Sequence, residues 1–204
     1  MSLDLNATKV SVATDLQILT KTGNPSNFTV TKVTDPVALS GTTPPTGSAG
    51  TVTGSGTSAL SYGQVSGAQL NTVGIYTFTY NVTNLSGVSY STPQTATVNV
   101  KPVANDVTVA SGRQSTTART LDVRASNIPS AALAGLTYVV DSAPTCITGG
   151  TAQVTASGDT FSFKTTAWPA GKSGNCTFTY HTVWTSGGKS LSSAVKTITV
   201  PVTS

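Results

Sequence analysis

Side chains that could perform acid–base or nucleophilic chemistry are scarce in this sequence. The 204 residues include one histidine and seven acidic residues, all of them aspartates. A Ser-His-Asp site needs its histidine between a nucleophile and an acid. His181, the only histidine, lies in the middle of a predicted strand, points outward and has no nucleophile-elbow motif near it. We therefore predict that the chain has no catalytic residues and is not an enzyme.

The residues that bind metals are equally few. Structural zinc sites need four cysteine or histidine ligands with short, regular spacings. The two cysteines, Cys146 and Cys176, and the single histidine do not have such spacings. We predict no metal site and no bound cofactor.

The distribution of charged and apolar residues excludes two classes of partner. Eleven lysines and arginines against seven aspartates leave a formal net charge of +4, and the densest basic cluster is Arg113, Arg119 and Arg124, with no aromatic residue between them. Nucleic-acid binding requires a concentrated basic face, so we predict no nucleic-acid partner. No apolar run approaches the ~18 residues of a membrane span, so we predict no membrane insertion.

The composition favours strands. Threonine and serine contribute 39 and 25 residues, and charged residues make up only 9%, against roughly 25% in an average soluble domain. Threonine and valine fit a pleated sheet better than a helix. Apolar and hydroxyl side chains alternate over long stretches, as in strands with one buried face. We therefore predict an all-β fold with a hydroxyl-rich surface.

The chain repeats itself with a period near 100 residues. Residues 74–102 and 174–202 are identical at nine of 29 positions when aligned without gaps, including a shared Thr-Phe-Thr-Tyr string. In this alignment Tyr76, Phe78 and Tyr80 match Cys176, Phe178 and Tyr180 on the inward side of a strand. The segment Lys9 to Ala13 matches Asp106 to Ala110 more loosely, as a first strand containing Val10, Val12, Val107 and Val109.

The repeat predicts two domains, residues 6–101 and residues 102–203. Turn signals at Ser86-Gly87 and Ser186-Gly187-Gly188 separate short strands. Six to eight such strands in about 100 residues are typical of an antiparallel β-sandwich. The boundary segment is short and contains Pro102, so we expect a semi-rigid connection between the two copies.

These motifs resemble the bacterial Ig-like and cadherin-like repeats of large exported or cell-surface proteins. The resemblance lies in the Gly-x-Tyr/Cys-Thr-Phe-Thr-Tyr strand, the Ser-Gly turn, the final strand ending in Val and Pro, and the Ala104-Asn105-Asp106 opening of the second copy. It implies two tandem Ig-like β-sandwiches, a location outside the cell, and neighbouring repeats in a longer parent protein. Cadherin-like repeats often bind calcium through clustered acids, but only Asp106 is acidic near the boundary, so a capping or turn role is expected there.

An exported location bears on the two cysteines. Two cysteines within one exported sandwich usually form a disulfide. We therefore expect a disulfide between Cys146 and Cys176, the alternative being two buried free thiols. Since Cys176 replaces the large Tyr76 of the first copy, a disulfide would offset the loss of packing.

Three functions remain open. The leading hypothesis is a structural spacer or stalk in an exported or cell-surface protein. The second is an adhesive module that recognises a glycan or a host protein through its end loops, with Trp184 and Lys189 or the loop at residues 41–50 as contacts. Trp184 could instead pack half-buried at a sheet edge. The third is a decoration domain of a phage or capsid.

Overall fold

A computed structural model describes residues 1–5, 9–11, 28–45, 49–56, 60–63, 72–84, 87, 92–127, 129 and 134–204. The predicted all-β fold is confirmed: these residues form eighteen strands and two short 3-10 turns, with no α-helix among them. The chain divides into two compact units, Met1–Lys101 with Ser186–Lys189, and Pro102–Thr185 with Ser190–Ser204. Of the predicted features, Val12, Ser86 and residues 46–48 of the loop lie outside the described residues.

The first unit contains two sheets. Its strands are β1 (Ser2–Asp4), β2 (Lys9–Ser11), β3 (Phe28–Lys32), β4 (Val37–Ala38), β5 (Thr51–Thr53), β6 (Ser61–Gly63), β7 (Gly74–Asn84) and β8 (Gln94–Lys101). The larger sheet has the order β1-β8-β7-β3, with β4 also beside β7, and the smaller has the order β2-β6-β5.

The second unit repeats this plan. Its strands are β9 (Val107–Thr108), β10 (Gly112–Arg113), β11 (Arg119–Leu121), β12 (Leu136–Val140), β13 (Thr145–Cys146), β14 (Thr151–Ser157), β15 (Thr160–Ala167), β16 (Gly174–Ser186), β17 (Lys189–Ser192) and β18 (Lys196–Thr203). The larger sheet has the order β10-β18-β16-β12, with β13 and β17 also paired to β16 and β9 to β18. The smaller sheet has the order β11-β15-β14.

The alternation predicted for the long strands is confirmed. Along β7, Tyr76, Phe78 and Tyr80 are buried, while the threonines between them are partly exposed. In β16, Phe178 and Tyr180 are buried in the same way. Successive side chains of a strand point to opposite faces, so each strand turns an apolar side to the core and a hydroxyl side to solvent.

The core of the second unit joins its two sheets into a β-sandwich. Phe161, on the smaller sheet, is the centre of an aromatic cluster: its ring centroid lies 5.4 Å from those of Tyr138 and Phe178 and 5.5 Å from that of Tyr180. Two of these contacts are edge-on, the geometry that aromatic pairs favour. Apolar residues of both sheets complete the cluster, among them Leu121, Phe163, Ile198, Val200 and Val202.

The pairing register of the last two long strands differs by two residues between the units, which the ungapped alignment does not show. Gly74 is opposite Val100, whereas Gly174 is opposite Val202. The final strand of the second unit is therefore offset by two residues from the predicted match. A shift of two residues preserves the side to which each residue points, whereas a shift of one would reverse it. The predicted and the observed registers therefore place apolar residues on the same face, and the sequence pattern does not distinguish them.

The match between the first strands is wrong. Lys9–Ser11 joins the smaller sheet, where Val10 is opposite Tyr62, whereas Val107–Thr108 pairs with β18 in the larger sheet. The first-unit counterpart in the larger sheet is β1, which pairs with β8. A two-residue alternation fits either sheet, because the pattern identifies the buried face and not the partner.

The pairing of these first strands also corrects the prediction of purely antiparallel sheets. Strand β1 runs parallel to β8, and both β9 and β10 run parallel to β18. The other pairings of the long strands, such as β7 with β8 and β16 with β18, are antiparallel, as are those within the two smaller sheets.

A buried polar cluster joins the start of the second unit to its core. Asn127 is 2% exposed. Its Oδ1 accepts from the backbone N–H of Asn105 at 3.1 Å and lies 2.8 Å from the Tyr180 hydroxyl, and its Nδ2 donates to the Tyr138 hydroxyl at 3.2 Å. The Tyr180 hydroxyl is also 2.8 Å from the Asn105 carbonyl oxygen. One amide therefore partners several groups that burial would otherwise leave unsatisfied.

We expect Asn127→Ala to destabilise the second unit by about 2–3 kcal/mol, because a buried partner left unsatisfied costs its desolvation energy. Urea unfolding followed by tryptophan fluorescence measures this effect, since both tryptophans, Trp168 and Trp184, belong to the second unit. Asn175→Ala, at an exposed position of β16, is the control and should change little. Equal effects of the two substitutions would contradict the role given to Asn127.

The same cluster predicts a loss of stability in alkali. Burial raises the pKa of Tyr180 to about 12 and also raises the pKa of Tyr138. Tyrosine in the unfolded chain ionises near pH 10, so above that pH the unfolded state releases protons first. The stabilisation is complete below pH 10 and is lost as the pH rises towards 12. Unfolding of Tyr180→Phe should depend less on pH between 10 and 12, and an unchanged dependence would refute this assignment.

Candidate functional site

The predicted disulfide is confirmed. Cys146 of β13 and Cys176 of β16 lie directly opposite each other, with Cα atoms 4.0 Å apart, and their sulfurs are bonded. The corresponding pair in the first unit is Ala38 opposite Tyr76. The disulfide thus occupies the position where the first unit has a small residue opposite a large one.

The disulfide fixes a two-residue strand next to the core. Strand β13 has only two residues, so it forms few backbone hydrogen bonds with β16. The bond closes a loop with a sequence separation of 30, which contains β14 and β15. In the first unit Tyr76 has a different anchor, because its hydroxyl lies 2.6 Å from the Thr72 hydroxyl and donates to the Thr72 carbonyl.

The Trp184 side chain lies in the interior and not on the surface where it could contact a ligand. It is fully buried, so the prediction that its ring is presented to a ligand is corrected. Strand β16 does not end before Trp184 but continues to Ser186. The inward alternation that starts at Cys176 therefore includes residue 184, where the side chain packs opposite Leu136. Continuing the two-residue period beyond Tyr180 would have revealed this burial.

Lys189, unlike Trp184, has an exposed side chain. It begins β17, after the turn at Gly187 and Gly188, whose φ values of 54° and 72° are in the left-handed region. Its side chain is exposed and has no ion pair among the described residues. Since one side chain is buried and the other exposed, the structure does not join Trp184 and Lys189 into one site. A ligand contact by Lys189 stays a prediction.

His181 has an acidic partner that sequence analysis missed. Its Nδ1 lies 2.9 Å from both carboxylate oxygens of Asp141. Asp141 follows β12, whose Val139 is opposite His181, so strand pairing places the two side chains together. The neighbouring Ser142 hydroxyl accepts hydrogen bonds from the backbone N–H and hydroxyl of Thr179. The His181–Asp141 pair links β12 to β16 across the outer face.

The Asp106 carboxylate contacts two residues of its own unit. Its Oδ1 accepts from the Thr197 backbone N–H at 2.8 Å, and its Oδ2 lies 3.9 Å from the Lys196 ammonium. Within the described ranges, no three histidine, cysteine or acidic side chains lie close enough to hold a metal ion. No helix in that part of the chain has the length and hydropathy needed to cross a membrane.

A basic cleft in the second unit is the site that sequence analysis missed. It has a volume of about 240 Å³ and is lined by Arg113, Arg119 and Lys164 together with uncharged residues. The three cations come from β10, β11 and β15, so their proximity depends on the fold. The third arginine of the sequence cluster, Arg124, lies elsewhere, paired with Asp122 and Asp159.

No protein-family model and no curated protein matches the sequence. Among solved structures, the chain is similar to the protocadherin GammaB4 extracellular domain at 14% identity, with a TM-score of 0.32, over 88% of this chain and 34% of that one. Human CDH23 EC21-23 matches at 13% identity and a TM-score of 0.28, over 98% and 66%. The endo-fucoidan hydrolase MfFcnA4 from glycoside hydrolase family 107 matches at 15% identity and a TM-score of 0.29, over 85% of this chain and 23% of that one. The chain spans less than two thirds of each of these proteins.

We expect loss of the disulfide to destabilise the second unit by about 3–4 kcal/mol, because the bond restricts the unfolded chain. Urea unfolding of Cys146→Ala/Cys176→Ala, followed by tryptophan fluorescence, measures the loss. The unmodified protein in reductant is the matched control and should shift by a similar amount. A difference below about 1 kcal/mol would show that the native contacts alone hold β13.

Proposed function

We propose that the chain is a spacer segment of an exported protein, built from two Ig-like β-sandwiches that resist extension. The observation that carries this proposal is the parallel pairing of the first and last strands in each unit. In the first unit β1 runs beside β8, and in the second β9 and β10 run beside β18.

Parallel pairing determines how each unit bears a pull on its ends. Two parallel strands run in the same direction, so the start of one and the end of the other lie at opposite ends of the pair. Tension between these points loads the interstrand hydrogen bonds together, in shear. In the second unit these bonds include Val109 N–H to Thr199 O at 3.0 Å and Gln114 N–H to Thr203 O at 2.7 Å.

The strand connections support Ig-like sandwiches. In an Ig-like sandwich, Greek-key connections carry the chain between two sheets. In the second unit the chain passes from β11 in the smaller sheet to β12 in the larger, returns to β14 and β15, and then enters β16. The first unit crosses between β4 and β5 and again between β6 and β7.

The disulfide supports an exported location, and the outer faces of the long strands suit a sheet exposed to solvent. The Cys146–Cys176 disulfide is of a kind that persists in oxidising compartments. The outer faces of the long strands carry opposed threonines in place of charges, such as Thr77 with Thr97 and Thr179 with Thr197. Such cross-strand pairs stabilise a solvent-facing sheet.

Single-molecule force spectroscopy on the full chain, held at its two ends, tests the spacer function. We expect separate unfolding events for the two units, with the second weakened by Gln114→Pro, which removes the N–H that bonds to Thr203. Gln114→Ala keeps this N–H and is the matched control. The same unfolding force for both variants would contradict a shear-bearing role for β10.

The disulfide identifies the event that belongs to the second unit. While the bond is intact, the loop between the cysteines, with a sequence separation of 30, cannot extend. Reductant should therefore lengthen that event by roughly 100 Å, at about 3.3–3.6 Å for each released residue. The event of the first unit should keep its length.

A further inference from the structure

We propose that the second unit carries, beyond its spacer function, a binding cleft for an acidic polysaccharide. The sulfate or carboxylate groups of the polysaccharide would be held by Arg113, Arg119 and Lys164. The cleft lies where the two sheets meet, because Arg113 and Val202 come from the larger sheet and Arg119, Phe163 and Lys164 from the smaller.

The charge of the cleft is of one sign. Its lining contains two arginines, one lysine and no acidic residue. Among the described residues, none of these three cations has an ion-pair partner. A cleft lined by one sign of charge concentrates the potential and attracts ligands of the opposite sign. Arginine also presents a planar set of N–H donors that fits carboxylate and sulfate oxygens.

The cleft is held in shape before any ligand arrives. The Arg119 guanidinium carbon lies 5.8 Å from the centre of the Phe163 ring, and its Nη1 donates to the Ala110 carbonyl at 3.2 Å. The loop that joins β10 to β11 is tied to β15 through Thr165, which is 5% exposed. The Thr165 hydroxyl accepts from the Ser115 N–H at 2.8 Å and donates to the Ser115 carbonyl at 2.9 Å. A preformed cleft loses little entropy on binding.

The surroundings of the cations favour a saccharide chain over a single anion. A neighbouring cavity of about 390 Å³ shares Ser115 and Thr165 with the cleft, and its wall includes Gln114, Thr166 and the half-buried Trp168. Another, of about 200 Å³, shares Lys164 and adds Gln153 and other polar residues. Hydroxyl and amide groups can hydrogen-bond to sugar hydroxyls, and an indole ring offers an apolar surface to a sugar face. The adjoining cavities thus add hydroxyl and amide groups around the cations.

The competing explanation is protection of sheet edges. Strands β10 and β11 are edge strands of their sheets, and charged residues at an edge discourage pairing with other chains. This explanation requires no ligand and gives no reason for two further cavities to flank the cations.

Isothermal titration with low-mass dextran sulfate, at about 0.15 M NaCl to screen long-range attraction, separates the two explanations. Unsulfated dextran is the matched neutral probe. The variant Arg113→Gln/Lys164→Gln should weaken dextran sulfate binding by about tenfold or more, since contacts to charged groups are lost. Lys172→Gln/Lys196→Gln removes the same net charge outside the three cavities and should weaken binding by less than about threefold.

Three outcomes would overturn the proposal. Equal losses in the two double variants would show attraction by net charge alone, and no binding of dextran sulfate would leave edge protection as the explanation. Tighter binding of poly-glutamate than of dextran sulfate would assign the cleft to an acidic polypeptide. Arg113→Gln alone, at an exposed position, should weaken binding by about threefold and keeps the test valid if the double variant unfolds. The titrations do not depend on the force measurements, so the failure of the binding proposal can be told apart from the failure of the spacer proposal.

Discussion

The parallel pairing between the first and last strands is the constraint on which the rest of each unit depends. It places β8 and β18 inside their sheets, with β7 and β16 on their other sides. Without β1 in the first unit, or without β9 and β10 in the second, the last strand would be an open edge able to pair with another chain. The partners are distant in sequence, since Leu3 is opposite Val100 and Gly112 is opposite Val202. The first and last strands of each unit are thus held together by contacts that form only when the whole unit is folded.

The two units reach this topology with different stabilising contacts. The first unit buries tyrosines whose hydroxyls reach the backbone, since Tyr62 donates to the Ala49 carbonyl and Tyr76 to the Thr72 carbonyl. The second has a disulfide where Tyr76 would be, and its polar cluster centres on the Asn127 amide. The two units thus anchor their cores by different contacts while keeping the same strand order.

Local patterns predicted what depends on local chemistry. The burial of Tyr76, Phe78 and Tyr80 follows from alternation within one strand, and the pairing of Cys146 with Cys176 from a shared domain in an oxidising setting. The burial of Trp184 was missed because the strand was ended too early. Alternation also carries no information about which sheet a short strand joins, nor about a shift of two residues between copies. The basic cleft was missed because three separate strands supply its cations.

The proposed cleft and the proposed mechanical role meet at the same strand. Arg113 lies on β10, opposite Thr203 of β18, whereas Arg119 and Lys164 belong to the smaller sheet. A polyanion that contacts all three cations therefore bridges the strand under shear to the opposite sheet. Because a ligand that binds only the folded state stabilises that state, an occupied cleft would hold β10 in place against tension. A spacer that binds its ligand in this way gains resistance to extension at a short load-bearing pair, the two residues of β10 beside β18.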